Sequence, residues 1–161
     1  MYKDKSIDIL KVIIKFCYVA LALVLFAFWF LATGDITLNG EKFKLIEEIN
    51  AQLLVVPFTA VVPAGYAALI CIDKLLTNIK NDLVFEKITL KYLDAICYAC
   101  VYAAAVGIIS TVVSIATNFY AYLMVFVIIS LGELFMALVL KVIKQVFQKA
   151  IIIKEENELT I

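Results

Sequence analysis

The fold of this chain is decided by residues 95–132, which read AICYACVYAAAVGIISTVVSIATNFYAYLMVFVIISLG. These 38 residues include no Asp, Glu, Lys, Arg or His. A membrane-crossing helix needs about 20 apolar residues, since each residue adds about 1.5 Å along the helix axis. The stretch is therefore too long for one crossing and about right for two. Its only plausible turn is Thr117-Asn118-Phe119-Tyr120 near the middle, so the sequence predicts a helical hairpin that crosses the bilayer twice.

The composition of the whole chain is that of an integral membrane protein. Of its 161 residues 65% are hydrophobic and 17% are charged, and the mean hydropathy is +1.05. Soluble domains are roughly half apolar and about a quarter charged. All 14 basic residues are Lys and the formal net charge is zero, so nothing indicates direct nucleic-acid binding. There is also no His, which removes the commonest acid–base residue.

Two further apolar runs raise the predicted number of membrane spans to four. The first run lies near the N-terminus, and a cleaved signal peptide is the competing interpretation for it. The apolar core of a signal peptide is about 7–15 residues long, and this run is longer. The second contains Pro57 and Pro63, which membrane helices tolerate where neighbouring helices satisfy the freed carbonyl groups. We predict an all-α integral membrane bundle in a single domain over residues 1–161, with a tail at residues 145–161. The predicted spans are residues 12–33, 51–72, 94–116 and 120–141.

The lysines predict how the spans are oriented. Twelve of the 14 lie in the first, third and fifth polar segments, and only Lys42 and Lys44 lie in the two segments between them. Because lysine-rich loops stay in the cytoplasm, we predict that both termini and the connector at residues 73–93 are cytoplasmic. The segment at residues 35–52 and the turn at Asn118 are then extracytoplasmic.

Both longer connectors carry apolar residues at helical spacing. Every fourth residue is apolar from Leu45 to Leu53 in the first extracytoplasmic loop, after the turn signal Asn39-Gly40. We predict a short amphipathic helix over Glu41–Leu54 on the membrane surface, with a solvated loop as the alternative. The same spacing over Leu75–Leu83 predicts a second short amphipathic helix in the cytoplasmic connector.

Glu133 is the one acidic residue deep inside a predicted span. A charged carboxylate there costs roughly 2.5 kcal/mol or more, so the group needs a proton, a hydrogen bond or a water-filled cavity. The functional interpretation is a proton or cation site. The structural interpretation is a protonated carboxyl bonded to Ser110, Ser114 or Thr111 of the third span. Glu133, Ser110 and Ser114 are thus the intramembrane polar candidates.

No motif in the sequence supports catalysis. There is no glycine-rich phosphate loop, no Ser–His or Cys–His set and no metal-binding spacing. Cys97 and Cys100 have the C-x-x-C spacing of redox and zinc sites, but neither a second pair nor a His accompanies them. We interpret them as small packing residues. The sequence therefore predicts a protein that is not an enzyme and has no cofactor or metal.

Two segments of the chain resemble a known bacterial family. They are the connector NIKNDLVFEKITLKYL at Asn78–Leu93 and the terminus VFQKAIIIKEENELTI at Val146–Ile161. They are similar to the four-span membrane proteins catalogued as domain of unknown function 2975, whose usual ending has Asp where this chain has Glu158. The resemblance implies four spans in the bacterial inner (cytoplasmic) membrane and no established activity. It also implies a gene neighbourhood that often includes a small helix-turn-helix regulator of the Cro/CI type.

Two functional hypotheses from different classes follow. In the first, the protein is non-enzymatic and its cytoplasmic segments anchor or regulate a partner, such as the small helix-turn-helix regulator. In the second, it is a small transporter, channel or immunity-type protein that uses Glu133, and it works as a homo-oligomer because four packed helices leave no pore. Membrane lipids are partners in either case. The partner-binding candidates are Asn78, Phe85, Glu155, Glu156, Asn157, Glu158, Leu159 and Thr160.

Overall fold

The computed structural model consists of four long helices and one β-hairpin. In chain order the elements are α1 (Tyr2–Thr33), β1 (Asp35–Leu38), β2 (Glu41–Lys44), α2 (Glu48–Lys80), α3 (Lys87–Ala116) and α4 (Leu123–Glu158). The structure describes the backbone of residues 2–33, 35–38, 41–44, 48–81, 83, 86–118, 120 and 122–158. Side chains are described for residues 5–30, 53, 55–81, 83, 86–118, 120 and 122–156.

Each of the four helices is long and apolar enough to cross a bilayer. A helix satisfies its backbone hydrogen bonds internally, which the hydrocarbon interior of a membrane requires. The prediction of four helical crossings is therefore confirmed. The candidate crossing segments are Lys5–Phe30, Val55–Lys80, Lys87–Ala116 and Leu123–Glu156.

The first loop holds a β-hairpin, so the amphipathic helix predicted over Glu41–Leu54 is wrong in this part. β1 and β2 pair antiparallel, with Leu38 opposite Glu41. Apolar and polar residues alternate along β1, and the Asn39-Gly40 pair, which lies outside the described residues, is typical of two-residue hairpins. Helical spacing governs the chain only from Glu48, where α2 begins.

The helix predicted within the cytoplasmic connector is not a separate element either. α2 continues to Lys80 and α3 begins at Lys87, so only six residues lie between the two helices. The reason lies in the packing of α2 on α1. Leu76 belongs to a buried cluster with Ile7, and Ile79 packs against that cluster. The apolar face that the sequence places in this connector therefore extends α2.

The helices are arranged as a row in chain order. Among the described residues, α1 packs on α2, α2 on α3 and α3 on α4, and no other pair of helices is in close backbone contact. α1 and α4 thus contact one neighbour each. On the open flank of α1, Phe16, Leu23 and Phe26 are 72%, 62% and 70% exposed. Lipid chains are as apolar as these side chains, so this flank suits a bilayer.

The interface between α3 and α4, called here the α3–α4 seam, is the most extensive one and is lined by small residues. Most buried positions of α3 are three, four or seven residues apart, as in helices that pack side by side at a small crossing angle. At Gly107 the approach of α4 is so close that a Cβ atom would overlap Ser130 Oγ. The face of α3 that carries Gly107 therefore packs against α4. The buried residues of α3 are Thr89, Leu93, Ile96, Ala103, Ala104, Ser110 and Ser114.

Candidate functional site

The charged side chains of the four helices lie at one end of the row. This lysine-rich end comprises residues 5–15, 73–94 and 141–156, and it holds every described charged side chain of the helices except Glu133. The described side chains of the opposite end include no charged group. The structure thus brings together, at one end, lysines that the sequence distributes over three polar segments.

Two polar contacts join α1 and α2 at the lysine-rich end. Lys80 Nζ lies 2.8 Å from Asp8 Oδ1, and the two side chains are 41% and 56% exposed. Lys11 Nζ donates to Thr77 Oγ1 at 2.9 Å, and Thr77 Oγ1 in turn donates to the Asp73 carbonyl at 2.9 Å. Because Thr77 uses its own proton within α2, it acts as the acceptor for Lys11. These contacts set the register of α1 on α2.

A less exposed ion pair joins α3 and α4 where the apolar part of the hairpin ends. Lys144 Nζ lies 2.7 Å and 2.8 Å from the two carboxylate oxygens of Asp94. The Lys144 side chain is 27% exposed and that of Asp94 is 42% exposed. Further out, Lys87 pairs with Glu155 at 3.0 Å in a more exposed position. Partly buried pairs with two hydrogen bonds stabilise more than exposed pairs do, so Asp94 and Lys144 fasten the α3–α4 seam.

α4 continues well beyond the apolar part of the hairpin. Residues 141–158, called here the α4 projection, form about 27 Å of further helix. One side of the projection is packed, since Ile151 is only 4% exposed. On another side, Val146 and Ile153 are 62% and 58% exposed. The projection therefore runs beside the first turns of α3 and exposes apolar side chains on its other side.

The sequence-predicted partner-binding residues do not form one free surface. Glu155 is paired with Lys87, and Glu156 also interacts within the chain, so the acidic end of α4 is tied to its own protein. Asn78 is half-buried near the end of α2, and its Nδ2 has no hydrogen-bond partner among the described residues. The candidates outside the described residues are Phe85, Leu159, Thr160 and the side chains of Asn157 and Glu158.

Glu133 contacts α3 within the apolar part of the row, and its partner is a thiol. The Cys100 side chain of α3 lies next to the Glu133 carboxyl group. This differs from the hydroxyl partner expected from the sequence. Ser110 Oγ donates to the Val106 carbonyl of its own helix at 2.7 Å. Ser114 Oγ is buried and has no hydrogen-bond partner among the described residues.

The register of the α3–α4 seam explains this difference. Asp94 lies opposite Lys144, and Gly107 lies opposite Ser130, so Glu133 falls between these two levels. The nearer of the two buried serines of α3 is then about 9 Å further along the axis, toward the turn, than the Glu133 level. The carboxyl group therefore meets the cysteine-bearing part of α3.

The two cysteines of α3 are free and half-buried. Cys97 Sγ donates to the Ala137 carbonyl of α4 at 3.6 Å. Among the described residues, no group of three or more His, Cys, Asp or Glu side chains is placed to hold a metal ion. Glu133 and Cys100 therefore offer a carboxyl and a thiol in contact inside an apolar layer, which is an arrangement that can hold a proton.

The Asp94–Lys144 pair is the contact that sequence reasoning missed, although a signal for it exists. Asn118 has a φ of 56° and forms the turn predicted between the third and fourth helices. Asp94 and Lys144 lie about equally far from this turn, one on each side. In a tight antiparallel hairpin such residues lie opposite each other. Their opposite charges and equal distances from the turn would have predicted the pair.

This architecture defines the class of the protein. A row of four long apolar helices with short connections and charge gathered at one end is that of a multi-pass helical membrane protein. The chain belongs to the family described as Protein of unknown function (DUF2975), whose model matches residues 37–161. The match confirms the family resemblance of the two segments, and it contains α2, α3 and α4. No curated protein and no solved structure matches the chain.

Proposed function

We propose that this protein is a non-enzymatic membrane anchor that binds a cytoplasmic protein at its lysine-rich end. The observation that carries the proposal is the α4 projection, which continues past the apolar spans and exposes apolar side chains beside charged ones. The lysine distribution supports a cytoplasmic location for this end and for both termini. The family resemblance supports the bacterial cytoplasmic membrane as the location.

The exposed face of the α4 projection has the composition of a protein-binding helix. Val142, Val146 and Ile153 are 59%, 62% and 58% exposed. They are separated by four and seven residues, so they lie on one side of the helix. Lys149 stands on the same side, and Glu156 follows one turn after Ile153. An exposed apolar stripe interspersed with charges is typical of a surface that binds another protein.

The partner that we propose is a small helix-turn-helix regulator of the Cro/CI type. The gene neighbourhood of the family suggests it, and carboxylates at the end of α4 complement the basic face that such regulators apply to DNA. The stripe of Val146 and Ile153 is accessible as it stands, whereas Glu155 would have to leave Lys87 to pair with a partner. We therefore assign the main contact to the apolar stripe. The membrane protein itself makes no contact with nucleic acid in this proposal.

The test is co-purification of the neighbouring regulator with the tagged full-length protein in a mild detergent. We expect the Val146→Ser, Ile153→Ser double variant to reduce retention roughly ten-fold or more, because buried apolar anchors dominate such interfaces. Gln145→Ser with Gln148→Ser is the matched control on the same helix and should retain the partner. Removal of residues 155–161 should weaken retention through loss of the acidic end. Equal retention by every variant would contradict the proposal.

Glu133 supports a second candidate function, a small transporter, channel or immunity-type protein that handles a proton or cation. Ionisable side chains inside an apolar layer mark ion and proton pathways in membrane proteins, and Glu133 is the one such group in the described helices. The described helices form a row and enclose no central channel, so permeation would require a homo-oligomer.

The second candidate is tested by flux into proteoliposomes that contain a pH-sensitive dye. Glu133→Gln keeps the size and hydrogen-bonding capacity of the side chain but cannot ionise, so flux should fall to the level of protein-free liposomes. Cys100→Ser replaces one hydrogen-bond donor by another and should retain flux. If Glu133→Gln conducts as well as the unaltered protein, Glu133 has no role in transport.

A further inference from the structure

Four exposed lysines, one on each helix, lie at the boundary between the lysine-rich end and the apolar part of the row. Each lies within four residues of the apolar run of its own helix. These four residues are called here the lysine belt: Lys15 on α1, Lys74 on α2, Lys91 on α3 and Lys141 on α4.

The contacts between neighbouring helices place the lysine belt within one layer of the row. The three contacts are Lys11–Thr77 between α1 and α2, Lys74–Tyr92 between α2 and α3, and Asp94–Lys144 between α3 and α4. Every lysine of the belt lies within four residues, or about one helical turn, of one of these contacts. Through these contacts the four lysines span about 9 Å along the helix axes, with Lys141 the deepest, near the depth where the apolar spans end.

Among the described side chains, no carboxylate forms an ion pair with the lysine belt. Among the described residues, none of its four lysines forms an ion pair, and the one recorded contact of Lys74 is with the ring of Tyr92, 5.9 Å away. Asp94 lies at the same level but is paired with Lys144. Asp73 is half-buried on α2 and forms no ion pair with the belt in the described structure. The belt thus carries a net positive charge.

We propose that the lysine belt binds the phosphate groups of anionic phospholipids in the leaflet at this end of the protein. An ammonium group on a flexible stem can reach a headgroup while its methylenes stay against apolar surface. Next to Lys15, the ring of Phe16 is 72% exposed and is placed to contact the acyl chains below that headgroup. The described side chains of the opposite end include no lysine that could bind an anionic headgroup.

The arrangement of the belt favours lipid over a soluble anion. The four lysines stand on four helices around the row and do not converge on one pocket. A single soluble phosphate could therefore not contact all four of them, whereas a leaflet presents phosphate groups to every helix of the row within its headgroup layer. A lysine near an anionic membrane surface contributes a preference of up to about five-fold.

The test uses fluorescence quenching by brominated lipids, because Trp29 is the only tryptophan and lies on α1 at the end opposite the lysine-rich end. A second reporter, Phe16→Trp in a Trp29→Phe background, lies beside Lys15 and about 20 Å from position 29 along α1. Quenching is compared between brominated phosphatidylglycerol and brominated phosphatidylcholine. We expect a preference for phosphatidylglycerol of between about two-fold and about five-fold at position 16. At position 29 the two lipids should quench equally, and equal preference at both positions would overturn the proposal.

Two pairs of variants separate the belt from general charge attraction. Lys15→Gln with Lys141→Gln should remove most of the preference at position 16. Lys5→Gln with Lys149→Gln makes the same change in charge at exposed lysines further from the apolar layer, and it should leave most of the preference in place. Equal losses from both pairs, or no loss from either, would contradict the assignment to the belt.

A salt titration keeps all four lysines of the belt, so its result does not depend on whether the lysine variants fold. Raising the salt concentration from about 0.1 M to about 1 M shortens the screening length from about 10 Å to about 3 Å. The preference for phosphatidylglycerol at position 16 should then fall toward one, while quenching at position 29 should not change. A preference that persists in high salt would exclude binding through the lysine charges.

Discussion

At the scale of single residues, the α3–α4 seam depends on one glycine and one ion pair. Gly107 allows close contact with Ser130 in the apolar layer, and Asp94 pairs with Lys144 at its edge. The two contacts lie at different levels along the same interface. Together they set which residues of α3 and α4 meet, including the contact between Cys100 and Glu133.

Replacement of Gly107 by Ala should lower the free energy of unfolding by about 1–3 kcal/mol. The added methyl group would overlap Ser130 Oγ, which donates to the Phe126 carbonyl at 2.7 Å and so cannot simply turn away. The measurement is equilibrium unfolding in detergent micelles. Gly132→Ala is the matched control, because nothing lies within 4 Å of a Cβ atom there. Equal losses at the two glycines would show that the seam is not closely packed at Gly107.

Replacement of Asp94 by Asn should lower the free energy of unfolding by about 1–3 kcal/mol, since Lys144 would lose its counter-charge in a partly buried position. The same change in the more exposed pair, Asp8→Asn, should cost about 1 kcal/mol or less. Both values are obtained by unfolding in micelles. Exchanging the charges with Asp94→Lys and Lys144→Asp should recover part of the loss. A swapped variant as unstable as Asp94→Asn would mean that the pair does not stabilise the seam through its charges.

At the scale of the elements, α2 is the helix whose own backbone hydrogen bonds are interrupted. Pro57 and Pro63 lie inside it, and each lacks the N–H that would bond to the carbonyl four residues earlier. One residue beyond the carbonyl that Pro63 leaves free, Ala60 O accepts a hydrogen bond from Tyr102 OH of α3 at 3.3 Å. α3 thus supports α2 at the interrupted turn while its other face packs on α4.

Replacement of Tyr102 by Phe should destabilise the protein by about 0.5–1.5 kcal/mol, because the hydrogen bond from the Tyr102 hydroxyl of α3 to the Ala60 carbonyl of α2 is lost. Unfolding in micelles measures the loss. Tyr98→Phe removes the same hydroxyl from a side chain that is 75% exposed and has no recorded hydrogen bond in the described structure. It should have almost no effect, and a similar loss in both variants would argue against support of α2 by Tyr102.

At the scale of the whole molecule, the row of helices has two chemically different ends. The lysine-rich end holds the ion pairs, the lysine belt and the α4 projection, whereas the described side chains of the other end are uncharged. This polarity is what the proposed anchoring function and the proposed lipid contact both require. It also predicts one orientation in the membrane.

Cysteine labelling in intact cells should establish that orientation. In a variant without the four native cysteines, Asn118→Cys should react with a membrane-impermeant maleimide from outside, and Gln148→Cys should react only after the cells are opened. Both positions are exposed in the structure, so accessibility of the side chain does not limit either reaction. Labelling at position 148 from outside would reverse the orientation and remove the proposed cytoplasmic binding surface.

Much of the fold could be predicted because the relevant signals are local. The number of helices follows from the lengths of the apolar runs, and the turn at Asn118 follows from the break in the long uncharged stretch. The β-hairpin could not be predicted from the apolar residues spaced every four positions, because this spacing corresponds to a helix only from Glu48 onward. Residues Glu41–Lys44, which precede it, form a strand. Of the candidate site, Glu133 was identified by its charge alone, but its partner was not, because the partner depends on how α3 and α4 are aligned.

The sequence by itself determined that this is a protein of four apolar helices with its lysines in alternate polar segments, because length, hydropathy and charge are properties of one segment at a time. Only the tertiary structure decided that the helices form an open row, that Gly107 meets Ser130 and that Glu133 meets Cys100. Those contacts depend on the alignment of two helices along their axes. A close approach at Gly107 and an ion pair at the edge of the apolar layer set that alignment, and neither can be read from one helix alone.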